Sequence, residues 1–438
     1  MDTERVTVPA LPPVLAAACP SLRAGAPADA IAGVVPGYVA APASTEEAAT
    51  LMRAAAAAGL AVVPRGAGTG FGWGAPPSRC DLVVDLSAMN RVIEHEAGDL
   101  VVRVQAGLTI GQLAAALAEA GQELALDVPA EATVGGVVAT GTTGPRRLRY
   151  GSPRDLLIGL TAVRADGVIA HSGGKVVKNV AGYDIGKLFC GSQGTLGLIT
   201  EATFRLHPRP AAVAWVTAEF AAPEQASSAV AAAAGSALVP SAVELDWPGG
   251  SPESARPLRV GVLLEGTSSG VAERAGRMSD LLATAGGGSV EVGDTAPPRW
   301  GALPGEAIVV RVSFWVSALE GVLGALLAAG AEAGVRPAVT GAAGAGTLYA
   351  CLDPAGLDPG SSGAAVRSFV EMLRARIADL SGPYGPRGSV AVLAGPPALL
   401  AAAGAYRDVP GAALMRAVRD QFDPEHRMFP GRFALGGD

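Results

Sequence analysis

Between residues 66 and 74 every second residue is glycine, so that Gly66, Gly68, Gly70, Gly72 and Gly74 alternate with Ala67, Thr69, Phe71 and Trp73. The apolar stretch Ala61 to Val63 leads into this loop through Pro64 and Arg65, and reads as a buried strand. With no Cβ atoms in the way, consecutive backbone N–H groups can converge into a nest for a diphosphate. The same letters fit a flexible loop in a chain with 59 glycines, so the loop alone leaves both readings open. Two other phosphate-binding readings fail on spacing. Gly70-x-Gly72-x-x-Ala75 nominally matches a dinucleotide fingerprint, but Pro76 and Pro77 follow and no helix can open there. A P-loop ending at Gly186-Lys187 would need glycine at 181 and a hydroxyl at 188, where the chain has Ala181 and Leu188.

A chain of 438 residues is long enough for at least two domains. A net charge of -7, with the basic residues spread out, leaves no footprint for a nucleic acid. Cys19, Cys80, Cys190 and Cys351 lie far apart, with no paired spacing to hold zinc or an iron–sulfur cluster, and fit a reducing compartment. Asp2, Glu4, Pro9, Pro12 and Pro13 spoil an otherwise lipoprotein-like start before Cys19. The uncharged run from Gly388 to Tyr406 is interrupted by Pro396 and Pro397, and reads as strand, turn and helix. The expectation is a cytoplasmic protein that meets a membrane only through partners.

Residues 1–35 read as a loose, Pro/Ala-rich extension with at most one short helix. Ser44 with Glu47, and Thr109 with Gln112, are capping-box signatures for two helices, the first stopping at Gly59. Strands around 61–63, 81–86, 91–94 and 100–105 alternate with them, which argues for a layered α/β domain over 36–208. Beyond Pro210 the texture changes. Strands near 215–220, 258–264, 307–313 and 389–393 alternate with Ala-rich helical stretches at 224–234, 271–285 and 318–333. They predict an α+β domain with an antiparallel sheet over 209–410, followed by a C-terminal segment, 411–438.

Two further blocks carry information. One runs from Pro129 through Thr133, Gly135, Gly136, Thr140, Gly141 and Gly144 to Pro145-Arg146-Arg147, and the other from Lys175 through Lys178-Asn179-Val180-Ala181-Gly182-Tyr183-Asp184 to Gly194-Thr195-Leu196-Gly197. Taken with the Gly-rich loop, in this order, they resemble the FAD-binding domain of the vanillyl-alcohol-oxidase (PCMH-type) flavoproteins. Gly144 to Arg147, Lys178 to Asp184 and His207-Pro208-Arg209-Pro210 resemble more closely the FAD-binding E subunits of bacterial glycolate oxidases. The resemblance covers roughly residues 39 to 210, with an echo near Phe422 to Arg432.

That resemblance implies a two-domain α/β (α+β) flavoprotein, its PCMH-type FAD-binding domain followed by a smaller α+β cap. In such proteins the loop from Arg65 through Gly66, Ala67, Gly68, Thr69 and Gly70 cradles the pyrophosphate of FAD. Pro129, Thr133, Gly135, Gly136, Thr140, Gly141, Gly144 and Gly151 would follow the flavin, and Ile199 would meet the adenine side. Covalent members carry His in the first loop or Cys in the second. Neither is present here, which implies non-covalent FAD. Phe429 stands where the closing segment commonly has Asn.

The implied activity is oxidation of a small (S)- or (R)-2-hydroxy acid, or electron relay, within a glycolate oxidase/dehydrogenase complex. A homologous FAD-containing D subunit and an iron–sulfur F subunit are the implied partners. A free-standing FAD-linked oxidase or dehydrogenase of another alcohol, and a flavin-less structural subunit, remain as alternatives. Such an oxidation needs a cation for the carboxylate and a base for the hydroxyl proton. Each of the four histidines, His95, His171, His207 and His426, reads as structural or solvated, and the His-x-His metal motif of the related D-lactate and D-2-hydroxyglutarate dehydrogenases has no counterpart. No metal is expected. Arg146, Arg147, Lys178, Tyr183 and Arg311 are the charged or phenolic candidates, each equally readable as a surface or ion-paired residue.

Overall fold

The structure, a computed structural model, describes residues 12–174, 183–248, 257–303, 308–353, 356, 362–383, 385–402 and 411–432. The helix α1 (Pro13–Ala18) starts on proline, whose missing N–H is no loss there. Leu15 and Cys19, four residues apart on one face, are buried against the first domain. β1 (Arg23–Ala24) then pairs antiparallel with β2 (Tyr38–Ala40). Between them the buried Asp29 accepts from Arg23 at 2.6 Å and from Arg65 at 3.3 Å. The expectation of a loose extension is therefore corrected from residue 12 onward, because a buried ion pair and two apolar anchors fasten a stretch whose Pro/Ala composition hides them.

Ser44 caps α2 (Thr45–Ala57) by accepting the Glu47 N–H at 3.1 Å, while the Glu47 carboxylate takes the N–H of Ala43 at 2.9 Å, one residue before the capping-box position. β3 (Val62–Arg65) and β4 (Leu82–Asp85) run parallel, and β2 lies on the other side of β4. This small sheet therefore aims the end of β3, and the Gly-rich loop after it, along one edge of the domain. β5 (Val92–Glu96) and β6 (Val101–Gln105) begin a second, antiparallel sheet. α3 (Ile110–Ala118) follows with the reciprocal Thr109–Gln112 capping box in place. After the short β7 (Gln122–Glu123) come α4 (Val134–Thr140), α5 (Arg147–Tyr150) and α6 (Pro153–Leu156). β8 (Leu157–Val163), β9 (Ile169–Gly173), α7 (Gly186–Phe189), β10 (Leu198–Arg205) and β11 (His207–Pro208) close the domain. The second sheet has the order β5-β6-β10-β8-β9, and its inward residues, such as Val102, Leu160 and Phe204, share one core with α2.

The second sheet-forming region opens with β12 (Ala212–Phe220), α8 (Pro223–Ala234), β13 (Ala242–Trp247), β14 (Leu258–Gly266), α9 (Ser268–Thr284) and β15 (Val290–Gly293). β16 (Ile308–Phe314), α10 (Leu319–Ala333), β17 (Ala338–Gly341), β18 (Thr347–Leu352) and α11 (Ser362–Asp379) follow. The small hairpin β19 (Ser381–Gly382) and β20 (Gly385–Pro386) precedes β21 (Gly388–Ala394), α12 (Pro397–Ala402) and α13 (Ala412–Phe422). The eight-stranded sheet has the order β15-β12-β14-β13-β17-β18-β16-β21, and every one of its pairings is antiparallel. Strand side chains alternate between faces. Val243, Leu245, Val310, Val312, Leu348 and Ala350 pack under helices α8 to α11, so Glu244, Arg311 and Tyr349 must point to the opposite face. α10, with the turn before it, is long and apolar enough by composition to cross a membrane, but Leu319, Val322, Leu323 and Leu326 are packed in this core.

The chain returns at its end to the first domain. The Val62 N–H donates to Arg427 O at 2.8 Å and the Phe429 N–H to Val62 O at 2.8 Å. Met428 between them is buried in the first domain's core.

Candidate functional site

A cavity of about 620 Å³ lies between the two regions, within the size range of cofactor and ligand pockets. One wall is mostly backbone. Gly66 through Gly70 line it, together with Pro129, Thr133, Gly135, Gly136, Thr140, Gly144 and Ile199. One contact and one backbone angle explain why glycine stands in this wall. A Cβ on Gly66 would lie 2.1 Å from Thr133 Oγ1, so only glycine lets the loop meet the start of α4, and Gly68 holds a left-handed φ of +79°. The N–H groups of Gly66 through Gly70 donate to no protein acceptor among the described residues. Amides without a protein acceptor, gathered on a concave surface, suit a ligand rich in acceptors. A diphosphate-bearing cofactor fits this wall.

Arg65 also lines the cavity, but its guanidinium is engaged behind the loop, with Asp85 at 2.8 Å and Asp29 at 3.3 Å. It anchors the loop's first residue to β4. Two of the glycines expected at the flavin do not line the cavity. Gly141 ends α4 with φ +65°, and its missing Cβ admits the backbone of Gly191. Gly151 ends α5 with φ +83°, and a Cβ there would lie 2.7 Å from the side chain of Asp155. Both are required by helix termination.

The other wall consists of side chains from the helix-free face of the large sheet: Glu244, Thr340, Thr347 and Tyr349, with Val309 beside them and Arg147 reaching in from α5. Burial pushes the Tyr349 hydroxyl above its ordinary pKa. Arg311, directly across the β16–β18 pair from Tyr349, has its pKa lowered by burial, with Arg147 nearby adding to that effect. Arg147 donates to Thr347 Oγ1 at 3.2 Å, and neither Arg147 nor Arg311 has a carboxylate partner among the described residues. Two guanidiniums and a phenol thus share one half-buried corner, with no carboxylate in ion-pair contact with either guanidinium among the described residues; Arg147 and Tyr349 line the cavity and Arg311 does not.

Arg146, one residue earlier, has the opposite surroundings. It bonds Asp127 at 2.7 Å, Glu123 at 2.8 Å and Glu265 at 3.3 Å. Burial works against its charge, but the three carboxylates outweigh it and raise its pKa above the usual arginine value. It ties the first domain to β14 and is not free for a ligand, so its assignment as catalytic is corrected. Tyr183 is 94% exposed and does not line the cavity, which corrects that candidate too. Lys178 lies outside the described residues.

Arg432 was not among the expected site residues, although it too lines the cavity. It donates to the carbonyls of Gly70 at 2.9 Å, Ala75 at 3.2 Å and Phe71 at 3.3 Å, and to Gln193 Oε1 at 3.0 Å. Its guanidinium stacks over Phe429, 4.7 Å from the ring centroid. The C-terminal segment thereby holds the Gly-rich loop in shape. Phe429 has φ +44°, a region that Asn tolerates better than Phe, and its buried ring offsets that cost by packing against Phe71 and Arg432. No His or Cys is among the described residues that line the cavity.

Residues 36–173 match the family described as FAD binding domain. An uncharacterised FAD-linked oxidoreductase of Mycobacterium tuberculosis is 39% identical over 211 residues, covering 48% of this chain and 46% of the relative. The glycolate oxidase subunit GlcD of Bacillus subtilis is 34% identical over 217 residues, 49% of this chain and 46% of that one. A D-lactate dehydrogenase of Archaeoglobus fulgidus is 40% identical over 169 residues, 38% of each chain. The chain thus spans less than half the length of these curated relatives. Among solved structures, p-cresol methylhydroxylase superposes with a TM-score of 0.77 over 97% of both chains at 18% identity, a likeness of fold. Residues 36–173 therefore form an FAD-binding domain, and FAD is the cofactor of this protein.

Proposed function

We propose that this protein is an FAD-linked dehydrogenase of small 2-hydroxy acids, and that the substrate carboxylate is held by Arg147 with Arg311 and Tyr349 behind it. The observation that carries the reading is Arg147, which lines the sheet-side wall without a carboxylate partner among the described residues and faces the FAD wall across a single cavity, with Arg311 close by outside the lining. A buried guanidinium with no protein carboxylate favours an anionic ligand, and the planar fork of arginine suits a carboxylate. Two relatives, named for glycolate oxidation and for D-lactate dehydrogenation, point to the same substrate class.

The amides of Gly66 through Gly70 would hold the diphosphate of FAD, and Thr133, Gly135 and Gly136 would line the rest of its seat. Bound FAD supplies the acceptor for the hydride equivalent that leaves the substrate carbon. The chain's own residues bind and orient. Arg147 fixes the acid end of the substrate, while the buried sheet face around Tyr349 and Val309 keeps water away. The flavin is held without a covalent bond, as the absence of His and Cys from the described lining suggests. Acid precipitation should therefore release all of the flavin into the supernatant, and flavin retained in the pellet would contradict that.

We propose further that electrons pass on to partner subunits, a homologous FAD-containing one and an iron–sulfur one, at the cytoplasmic face of a membrane. The support is that the chain's cysteines are scattered and that no metal-binding group of His, Cys, Asp or Glu occurs among the described residues. Anaerobic addition of glycolate and D-lactate to the FAD-loaded protein tests the central reading. Flavin bleaching by either acid is expected, and no bleaching with either, alone or with the partner subunits present, defeats it.

A further inference from the structure

Two buried glutamates sit on the helix-free face of the large sheet, and they are treated differently. Glu265, on β14, is only 4% exposed and is met by Arg146 at 3.3 Å and by the Tyr150 hydroxyl at 2.9 Å. Glu244, on β13, is 6% exposed and lines the cavity, yet its one hydrogen bond is from the backbone N–H of Gly301 at 3.3 Å. No cation pairs with it among the described residues. Burying a carboxylate without a cation is costly, and the usual escape is to keep the proton. Its neighbours reinforce this. Asp127 lies across the cavity wall, Asp246 is two residues on and occupied by Arg299 at 3.2 Å, and Tyr349 faces it from β18 with Arg147 beyond. Burial first, then the charges of Asp127 and Asp246, push its carboxyl up to about 8, against the opposing bond from Gly301.

We propose that Glu244 is the residue that accepts the hydroxyl proton of the substrate. The inference rests on the 2-hydroxy-acid reading above. Oxidation of a CH–OH to a C=O removes two hydrogens. The C–H hydrogen departs with both bonding electrons to the bound cofactor, and the O–H proton leaves its electron pair on oxygen to form the second C–O bond. That proton goes to a Glu244 carboxylate oxygen, and the acid later returns it to solvent. A base whose pKa lies near the working pH suits this task, and the described lining of the cavity contains no histidine to take it. Only the ionised form of Glu244 can accept, so the rate of flavin reduction rises with pH through about 8.

The test uses the full-length, FAD-loaded protein, with Glu244→Gln and Glu244→Asp beside wild type. Stopped-flow reduction by glycolate or D-lactate should slow by roughly a hundredfold or more in Glu244→Gln and lose its rise with pH. Glu244→Asp should retain the rise at a lower rate. A separate readout needs no turnover. Infrared difference spectra between neutral and alkaline pH should show a protonated carboxylic acid that titrates near pH 8, absent from Glu244→Gln. FAD affinity, read by flavin fluorescence, should be the same in all three, which separates a misfolded variant from an inert one. If wild type is reduced and Glu244→Gln is reduced equally fast with the same pH profile, the role of Glu244 is overturned while the substrate reading stands. If neither acid reduces wild type, alone or with the partner subunits present, the substrate reading fails and takes this role with it.

Discussion

The two walls of the cavity are built from opposite materials. The first-domain wall offers amide groups, held open by glycines that bring the loop and α4 into contact. The sheet-side wall offers ionisable side chains, carried by strands whose other face is locked under helices. A backbone wall can hold a cofactor whatever the details of the second region, whereas a side-chain wall changes its chemistry with a single residue. The contrast is sharpest at Arg146 and Arg147. Adjacent in sequence, they serve different walls, one clamped among three carboxylates and the other left without any among the described residues.

Breaking the clamp should have the largest effect. Arg146→Ala leaves Glu123, Asp127 and the buried Glu265 without their cation, and should destabilise the protein by ~3–5 kcal/mol. Chemical denaturation measures this, and a change below about 1 kcal/mol would mean that the cluster is screened by water. Arg147→Ala should have the complementary signature. Carboxylate affinity, read by titrating an unreactive 2-hydroxy-acid analogue, should fall roughly a hundredfold, as expected for the loss of a partially buried charge pair, while FAD affinity stays the same. A shared loss of both affinities would erase the distinction between the walls.

The backbone wall is tested by Gly66→Val. Its Cβ would begin 2.1 Å from Thr133 Oγ1, and an overpacking cost of ~1–3 kcal/mol should weaken FAD binding about ten- to a hundredfold. Unaltered FAD affinity in this variant would show that the loop can move aside.

The last effect expected is a linkage effect at Glu244, which shows only as a change with pH. Its folded pKa of about 8 lies above the ordinary 4.5, so the folded state binds the proton more tightly. The resulting stabilisation is complete below pH 4.5, declines as pH rises and is lost above about 8. Wild type should therefore lose Tm relative to Glu244→Gln across that window, on the order of a few degrees. A Tm difference that does not vary with pH would mean that Glu244 is ionised in the folded protein throughout.

The backbone wall was legible in the sequence and the side-chain wall largely was not. Alternate glycines after a buried strand are ambiguous alone, but together with the Thr133 to Gly144 block they are local patterns that can be read from short windows in order. Glu244, Thr347 and Tyr349 become neighbours only through the order β13-β17-β18 in the large sheet, and strand order is not written in any short window. One signal was available. In Ala242-Val243-Glu244-Leu245 a charged residue interrupts an apolar run, and in a sheet covered on one side by helices such a residue must face the other side. Val310-Arg311-Val312 carries the same alternation, and Arg311 lies across the β16–β18 pair from Tyr349. Arg146 misled because its motif context says nothing about Glu265, more than a hundred residues away and brought close only by the docking of the two regions. Residues 12–35 misled in a similar way, since their anchors, Asp29 to Arg65 and Leu15 to the first core, are tertiary.

The central claim, that one cavity presents FAD on a backbone wall and the carboxylate of a 2-hydroxy acid on a side-chain wall, is tested most directly by anaerobic titration of the FAD-loaded protein. Glycolate and D-lactate would be added to wild type and to Arg147→Ala while the flavin spectrum is followed. The account predicts bleaching of wild type by at least one of the acids, and a roughly hundredfold higher half-saturation in Arg147→Ala with full bleaching at excess acid. Bleaching of both proteins at the same concentration, or of neither even with the partner subunits present, would contradict it.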